Sequence, residues 1–206
     1  MLRIVGRINS INVQKVVWCA HELGLPFERT DIGGAFGGTE TPAYRAINPN
    51  GLVPVIDDDG FVLWESNAIV RYLAAGHSVG NLWPHSLKAR ADADRWMDWQ
   101  ATELGPAMRD AFVHLVRTTA EKRDQNKVAA STNASERLIG ILDEHLAKRD
   151  YMTGGAFTMG DIPVGLQVHR WLGMPVARVP RPNVEAWYAR LRARSRAQEV
   201  LTLPVT

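Results

Sequence analysis

The chain contains few of the features that mark specialised classes of protein. Cys19 is the only cysteine among its 206 residues, which excludes an internal disulfide framework and a paired-thiol redox motif. No apolar run approaches the ~20 residues that a membrane-spanning helix needs. The net charge of +2 is too small to indicate a nucleic-acid partner. Since Met1 leads directly into a strand pattern, without the architecture of a signal peptide, we expect a cytoplasmic protein.

What is present is an ordinary globular composition, with 46% hydrophobic and 22% charged residues. The N-terminal third mixes strand and helix patterns. Leu2–Val5 and Phe27–Ile32 are predicted strands, and an amphipathic helix that begins near Val13 lies between them and ends near Gly24. A hairpin and a helix at Ser66–Ala75 follow. This order, βαβ and then ββα, predicts an α/β domain with the thioredoxin-like layout.

The rest of the chain is predicted to be all helical. Helical patterns cover residues 87–116, 120–148, 161–172 and 184–194. Pro106 falls inside the first of these and should kink it, because proline cannot donate the backbone hydrogen bond of a helix. We therefore expect a thioredoxin-like domain at residues 1–76, a linker at 77–85 and an all-α bundle at 86–206.

The most informative segment is the predicted hairpin and the helix after it. An acidic turn at Asp57–Gly60 separates two apolar runs, which is typical of an antiparallel hairpin. Pro54 interrupts the start of the first run. Glu65 and Ser66 stand where the second run gives way to a helix, whose free N–H groups bind carboxylates. A carboxylate beside them can hold an ammonium group, so the site would suit one end of a zwitterionic peptide.

Five segments carry a resemblance to a known family. Val53-Pro54, followed by Glu65 to Ile69, looks like the glutathione site of cytosolic glutathione S-transferases. The opening from Gly6 to Val16, with its Ser-x-Asn-Val-Gln-Lys-Val motif, resembles a bacterial subgroup of that family. The segments Thr158 to Asp161 and Pro180 to Asn183 are similar to features of the family's helical domain. The resemblance spans essentially the whole chain and implies the same two-domain fold.

The resemblance implies that Ser10 and Asn12 contact the thiol of glutathione. A free thiol has a pKa near ~8.5, and lowering it by two units needs about 2.7 kcal/mol of stabilisation of the thiolate. A charge-assisted hydrogen bond can supply roughly 1.5–3 kcal/mol, and a helix N-terminus about 0.3–1 kcal/mol. The motif leaves both residues as candidates. Each could instead only cap the first helix.

The resemblance also implies a cis bond between Val53 and Pro54, with the Val53 backbone pairing with the cysteinyl backbone of glutathione as an added strand. The alternative is an ordinary edge-strand proline. Glu65 and Ser66 would hold the γ-glutamyl end, and Ser66 could also open a helix. In Thr158 to Asp161 we expect a capping box, in which each side chain accepts from the other residue's N–H.

Three residues are candidates for the electrophile side of the site. In the layout that the resemblance implies, Arg7 and Phe36 would border the thiol. Arg109 would lie where the first long helix passes the mouth of the site, and there it could attract a carboxylate-bearing electrophile such as a haloacid. A surface ion pair with Asp110 or Glu103 is the other interpretation of Arg109.

These observations lead to a functional hypothesis with two rivals. We expect a homodimeric glutathione S-transferase involved in detoxification, which activates the thiolate of glutathione for attack on a small electrophile such as an alkyl halide or haloacid. Glutathione is the co-substrate, and no metal, membrane or nucleic-acid partner is expected. One rival is a glutathione-dependent peroxidase on the same fold. The other is a non-catalytic glutathione-binding or assembly module.

Overall fold

The computed structural model describes residues 1–206, and its first half contains a four-stranded mixed sheet. The strands are β1 (Leu2–Val5), β2 (Phe27–Thr30), β3 (Val55–Asp58) and β4 (Phe61–Trp64), in the spatial order β2-β1-β3-β4. Strand β2 runs parallel to β1, whereas β3 and β4 pair antiparallel with their neighbours. The predicted thioredoxin-like fold is confirmed. Strand β2 ends two residues earlier than predicted, before the glycine-rich loop.

The hairpin between β3 and β4 follows directly from its sequence. Asp58 pairs with Phe61, so Asp59 and Gly60 form a two-residue turn, and both have positive φ (48° and 95°). Such turns favour Asp-Gly because glycine adopts positive φ without a steric penalty. The Asp57 side chain accepts a hydrogen bond from the Gly60 N–H at 2.7 Å, which fixes the turn.

Three helices accompany the sheet. They are α1 (Ile11–Leu23), α2 (Pro42–Ile47) and α3 (Ser66–His77). Helix α1 ends as predicted at Gly24, which has a left-handed conformation and whose N–H caps the last carbonyls. Its residues from Val13 to Ala20 are all buried, because α1 packs against α3 and against the helices of the second half.

The remaining chain is helical, as predicted. Its α-helices are α4 (Leu87–Trp99), α5 (Gly105–Phe112), α6 (Gln125–Leu146), α7 (Asp161–Gly173), α8 (Pro182–Arg192) and α9 (Gln198–Leu201). Helix α6 begins later than predicted because Asp124 caps it, accepting from the N–H groups of Asn126 and Lys127 at 3.0 and 3.1 Å. None of the helices combines the length and the apolar character that crossing a bilayer requires. The domain boundaries at residues 77–85 stay a prediction.

The first long helix differs from the prediction in how it accommodates Pro106. Two π-helical segments, Gln100–Leu104 and Val113–Arg117, flank α5, and Pro106 stands in the first turn of α5, directly after the first segment. Proline cannot donate to the carbonyl four residues earlier and its ring crowds it. The wider turn before Pro106 therefore lets the helical path continue to Arg117.

The capping box before α7 is present only in part. The Asp161 carboxylate accepts from the Thr158 N–H at 2.9 Å, as expected. The Asp161 N–H, however, donates to the Thr158 carbonyl and not to its hydroxyl. The carboxylate also accepts from the Met152 N–H at 2.9 Å and from the Trp187 indole at 3.0 Å. Burial raises the pKa of Asp161 to about 6, while these donors favour its ionised form.

Candidate active site

Residues from both halves of the chain line one cleft of about 450 Å³. Eight of the nine predicted site residues line this cleft, namely Arg7, Ser10, Asn12, Val53, Pro54, Glu65, Ser66 and Arg109. Phe36 does not line it. That side chain lies on a single 3₁₀ turn and is 59% exposed. The chain thus brings together a helix N-terminus, a hairpin edge and two helices of the second half.

Ser10 precedes α1 in an extended conformation, at the position where a capping side chain would stand. Its hydroxyl makes no capping hydrogen bond, although the residue is only 9% exposed. The interpretation of Ser10 as a side-chain cap is therefore wrong for this structure. A hydroxyl at a helix N-terminus with no such bond is free to donate to an anion in the cleft.

Asn12 and Ser66 connect the starts of α1 and α3. The Ser66 hydroxyl donates to Asn12 Oδ1 at 3.3 Å, so the two predicted functional groups touch directly. Because Oδ1 is occupied in this way, the Asn12 amide N–H₂ is the group left to donate elsewhere. Ser66 is only 6% exposed, yet it is among the residues that line the cleft.

The bond between Val53 and Pro54 is cis, as the resemblance implied. No other backbone group of the chain forms a hydrogen bond with the N–H or C=O of Val53. Gly6 allows the neighbouring loop to approach this residue closely. A Cβ atom on Gly6 would lie 2.6 Å from Val13 Cγ2 and 3.0 Å from Val53 Cβ, and its φ of +150° is unfavourable for other residues.

Glu65 has an unusual backbone conformation at the start of α3. Its φ of 71° is rare for a residue with a side chain, and such conformations cluster at binding and catalytic sites. The carboxylate is exposed and pairs with no cation of the chain, which leaves it available to a ligand. It is the only acidic side chain that lines the cleft.

Arginines dominate the charge of the cleft. Arg7 and Arg109 are joined by two residues that the sequence patterns did not single out, Arg117 and Arg170. Ion pairs with Asp or Glu are made by other arginines, none of which lines the cleft. The surface ion pair considered for Arg109 is therefore absent.

Two of these arginines, Arg170 and Arg117, pack their guanidinium groups against the ring of Phe112. The Arg170 guanidinium carbon lies 3.9 Å from the Phe112 ring centre, and that of Arg117 lies 4.6 Å from it. Burial, together with the nearby charges of Arg117 and Arg7, lowers the pKa of Arg170 to about 10. These guanidinium groups have no Asp or Glu partner, although Arg117 donates to the Thr206 backbone oxygen at 3.1 Å. Their mutual repulsion would be reduced by an anion in the cleft.

A second set of polar groups that the patterns missed lies buried beneath Ser66. Lys15 Nζ is 2.8 Å from Gln100 Oε1 and 3.4 Å from Ser66 Oγ. The Gln100 amide in turn donates to Gln167 Oε1 at 3.2 Å. One signal was available in the sequence, since Lys15 stands within the buried run of α1. Its partners come from distant helices, so local patterns could not identify them.

Comparisons with known proteins identify the family of the chain. The family model described as the N-terminal domain of glutathione S-transferase matches residues 9–75, and the one for the C-terminal domain matches residues 104–195. Glutathione S-transferase GstB of Escherichia coli K12 is 41% identical over 208 residues, covering 100% of both chains. Glutathione S-transferase 3 of Zea mays is 30% identical, covering 97% of this chain and 93% of its own.

The solved structures include a theta class glutathione S-transferase from Xanthomonas axonopodis pv. citri with glutathione bound. It is 47% identical, with a TM-score of 0.96, and the match covers 100% of this chain and 99% of that one. The fold and the cleft thus define a two-part protein of the thioredoxin-like type with an added helical bundle. The chain belongs to the glutathione S-transferase family, and it is a transferase enzyme.

Proposed function

We propose that the cleft binds glutathione and joins it, through its sulfur, to a small electrophile such as an alkyl halide or a haloacid. The γ-glutamyl end lies at Glu65 and Ser66, and the cysteinyl backbone runs along Val53. The observation that carries the proposal is that eight of the nine expected residues line one cleft, beside arginines that form no ion pair with Asp or Glu. The Xanthomonas relative, whose structure contains glutathione, supports the same co-substrate.

The thiol is activated without a protein base. In the proposed pose the sulfur lies at the N-terminus of α1, where Ser10 and Asn12 donate to the thiolate. One charge-assisted hydrogen bond, worth roughly 1.5–3 kcal/mol, and the helix terminus, worth about 0.3–1 kcal/mol, together lower the thiol pKa by about two units. At neutral pH most of the bound glutathione is then thiolate. The thiolate attacks the carbon that bears the halogen, a carbon–sulfur bond forms, and the halide leaves with the electron pair.

The arginines favour an electrophile that carries a carboxylate. Arg109 is exposed and forms no ion pair, so it can meet an incoming anion. Arg170, which is partly buried, and Arg117, which is exposed, flank Phe112 and add to the positive potential. A haloacid would therefore place its carboxylate toward these guanidinium groups and its halogen-bearing carbon toward the sulfur.

A matched pair of substrates tests this assignment. Chloroacetate and chloroacetamide have the same leaving group and nearly the same shape, and they differ in charge. We expect Arg109→Met to lower kcat/KM for chloroacetate about tenfold, as the loss of one charge-assisted hydrogen bond implies. The same variant should change kcat/KM for chloroacetamide less than twofold. Arg137→Met, which removes an exposed arginine of α6 outside the cleft, is the control.

Equal losses with both substrates, or no loss with either, would show that Arg109 does not recognise an anion. A hydroperoxide belongs in the same assay panel, because turnover of hydroperoxides without turnover of any halide would favour the peroxidase rival. Glutathione binding in a calorimetric titration, without turnover of any halide or hydroperoxide, would favour the non-catalytic module. No binding of glutathione at all would contradict the proposed pose as a whole.

We also infer three properties from family membership and the opening motif. The chain belongs to the bacterial subgroup with the motif Ser-x-Asn-Val-Gln-Lys-Val, which begins at Ser10, and the 41% identity to the Escherichia coli protein supports this. It forms a homodimer, and it works in the cytoplasm. Sedimentation of the purified protein tests the dimer, since a single species with the mass of one chain would contradict it.

A further inference from the structure

Lys15 is a buried cationic side chain that no acidic group neutralises. The residue is 3% exposed, on the inner face of α1. Its two hydrogen-bond acceptors, Gln100 Oε1 at 2.8 Å and Ser66 Oγ at 3.4 Å, are both uncharged. An ammonium group has three N–H donors, so one of them lacks a protein acceptor. A buried ammonium without a negatively charged partner is costly, so the free protein favours the neutral amine, whose two N–H groups these two acceptors satisfy.

The surroundings of Lys15 hold its amine at a fixed place under the cleft. On one side Gln100 is fixed by Gln167, whose own amide lies 3.2 Å from Met108 Sδ. On the other side Ser66, which accepts from Lys15, donates to Asn12. The amine therefore donates directly to the hydroxyl proposed to bind the γ-glutamyl carboxylate. Because a hydroxyl has one hydrogen, Ser66 turns it from Asn12 to the carboxylate when the ligand binds.

The charged groups that act on Lys15 come from two elements. Glu65, at the start of α3, attracts the ammonium form, and Arg170 on α7 repels it. The segment that contributes Gln100 adds only a neutral amide. Burial and Arg170 outweigh Glu65, so the pKa of Lys15 falls to about 7 in the free protein. Near neutral pH the amine is thus divided between its two protonation states.

We propose that Lys15 is a positioning residue of the glutathione site, which takes up a proton when the γ-glutamyl carboxylate binds at Ser66 and then holds Ser66 and the carboxylate in place. This inference rests on the proposed placement of glutathione. A carboxylate bound at Ser66 is separated from the amine by that one hydroxyl and supplies the missing negative charge, and in a buried site the attraction is only weakly screened. Binding and protonation therefore favour each other.

Proton uptake can be measured with a ligand that has no thiol. S-Methylglutathione keeps the γ-glutamyl end but releases no thiol proton. The test is a calorimetric titration of this ligand into the wild-type protein at about pH 7.5, repeated in buffers of different ionisation enthalpy. The slope of the apparent binding enthalpy against the buffer ionisation enthalpy gives the number of protons taken up. With a free pKa of about 7, roughly three quarters of the molecules begin with a neutral Lys15, so we expect uptake of about half a proton or more.

Variants identify where the proton goes. Lys15→Met keeps the length of the side chain and removes the titrating group, so the uptake should fall to near zero and the affinity should weaken several-fold. Lys88→Met, which removes an exposed lysine of α4, is the matched control and should keep the full uptake. If Lys15→Met does not fold, the proton uptake of the wild type still tests the proposal, because binding without uptake would overturn it.

The outcomes separate this inference from the proposed function. Binding of S-methylglutathione by the wild type without proton uptake would overturn the role of Lys15 and leave the proposed pose intact. Uptake that persists in Lys15→Met would overturn it as well, because another group would then be titrating. If the wild type binds neither S-methylglutathione nor glutathione, the proposed function fails and the inference fails with it.

Discussion

Replacing Ser10 by alanine should raise the pKa of the thiol of bound glutathione. Ser10 is only 9% exposed, and its hydroxyl makes no capping hydrogen bond. No capping bond therefore has to break before the hydroxyl can donate to a thiolate. A charge-assisted hydrogen bond from this hydroxyl contributes roughly 1.5–3 kcal/mol to the anion. Since one pKa unit corresponds to about 1.4 kcal/mol, Ser10→Ala should raise the thiol pKa by one to two units.

The companion variant is Asn12→Ala. Asn12 Oδ1 accepts from Ser66, so this substitution removes a possible donor to the thiolate and also the contact that orients the Ser66 side chain in the free protein. We expect it to raise the thiol pKa by more than one unit and to weaken glutathione binding too. Ser10→Ala should affect binding less, because Ser10 touches neither Ser66 nor Glu65 through a hydrogen bond.

The assay is a pH titration of the thiolate absorbance of bound glutathione in the wild type and in both variants. Saturating glutathione is needed at each pH, so that the signal reports the bound thiol. A titration curve that stays unchanged in both single variants would refute the donor assignment. A shift in only one of them would identify the main donor, which the sequence left undecided.

Three further predictions concern the stability of the fold and the binding of glutathione. Asp161→Ala leaves the buried donors of Met152 and Trp187 unpaired and should lower the free energy of unfolding by about 3–5 kcal/mol in denaturant titrations; a loss under 1 kcal/mol would contradict this. Gly6→Ala should displace Val53 and weaken glutathione binding while the circular dichroism spectrum is retained; unchanged affinity would show that the loop can relax. Lys15 has a lowered pKa when folded, so the folded state binds fewer protons than the unfolded state between about pH 7 and 10. Wild-type stability should therefore rise by about 2 kcal/mol relative to Lys15→Met from pH 7 to 9, and parallel curves would contradict the buried amine.

Local patterns predicted the elements that local chemistry determines. The Asp-Gly turn, the glycine that ends α1 and the start of α3 at Ser66 each depend on neighbours in sequence, and each appears as expected. The position of Pro106 predicted a disturbance in the long helix. Its form, a π-helical segment before the proline, depends on how that helix packs against others and was not predictable.

Site residues that belong to short sequence motifs could be predicted. Those that distant segments of the chain contribute could not. Ser10 and Glu65 belong to such motifs. Arg170 reaches the cleft from α7, and Gln100 lies 85 positions from Lys15, so only the tertiary fold brings them there. Phe36, in contrast, was predicted to border the thiol but does not line the cleft. The loop after β2 is rich in glycine, and no periodic pattern fixes the direction of its side chains.

A crystal structure of the protein with glutathione tests the central claim most directly. We predict density for the tripeptide along Val53, with the γ-glutamyl carboxylate at the Ser66 hydroxyl and the sulfur within hydrogen-bond distance of Ser10 or Asn12. Glutathione bound with its sulfur remote from the N-terminus of α1, or with its γ-glutamyl end away from Ser66, would contradict it.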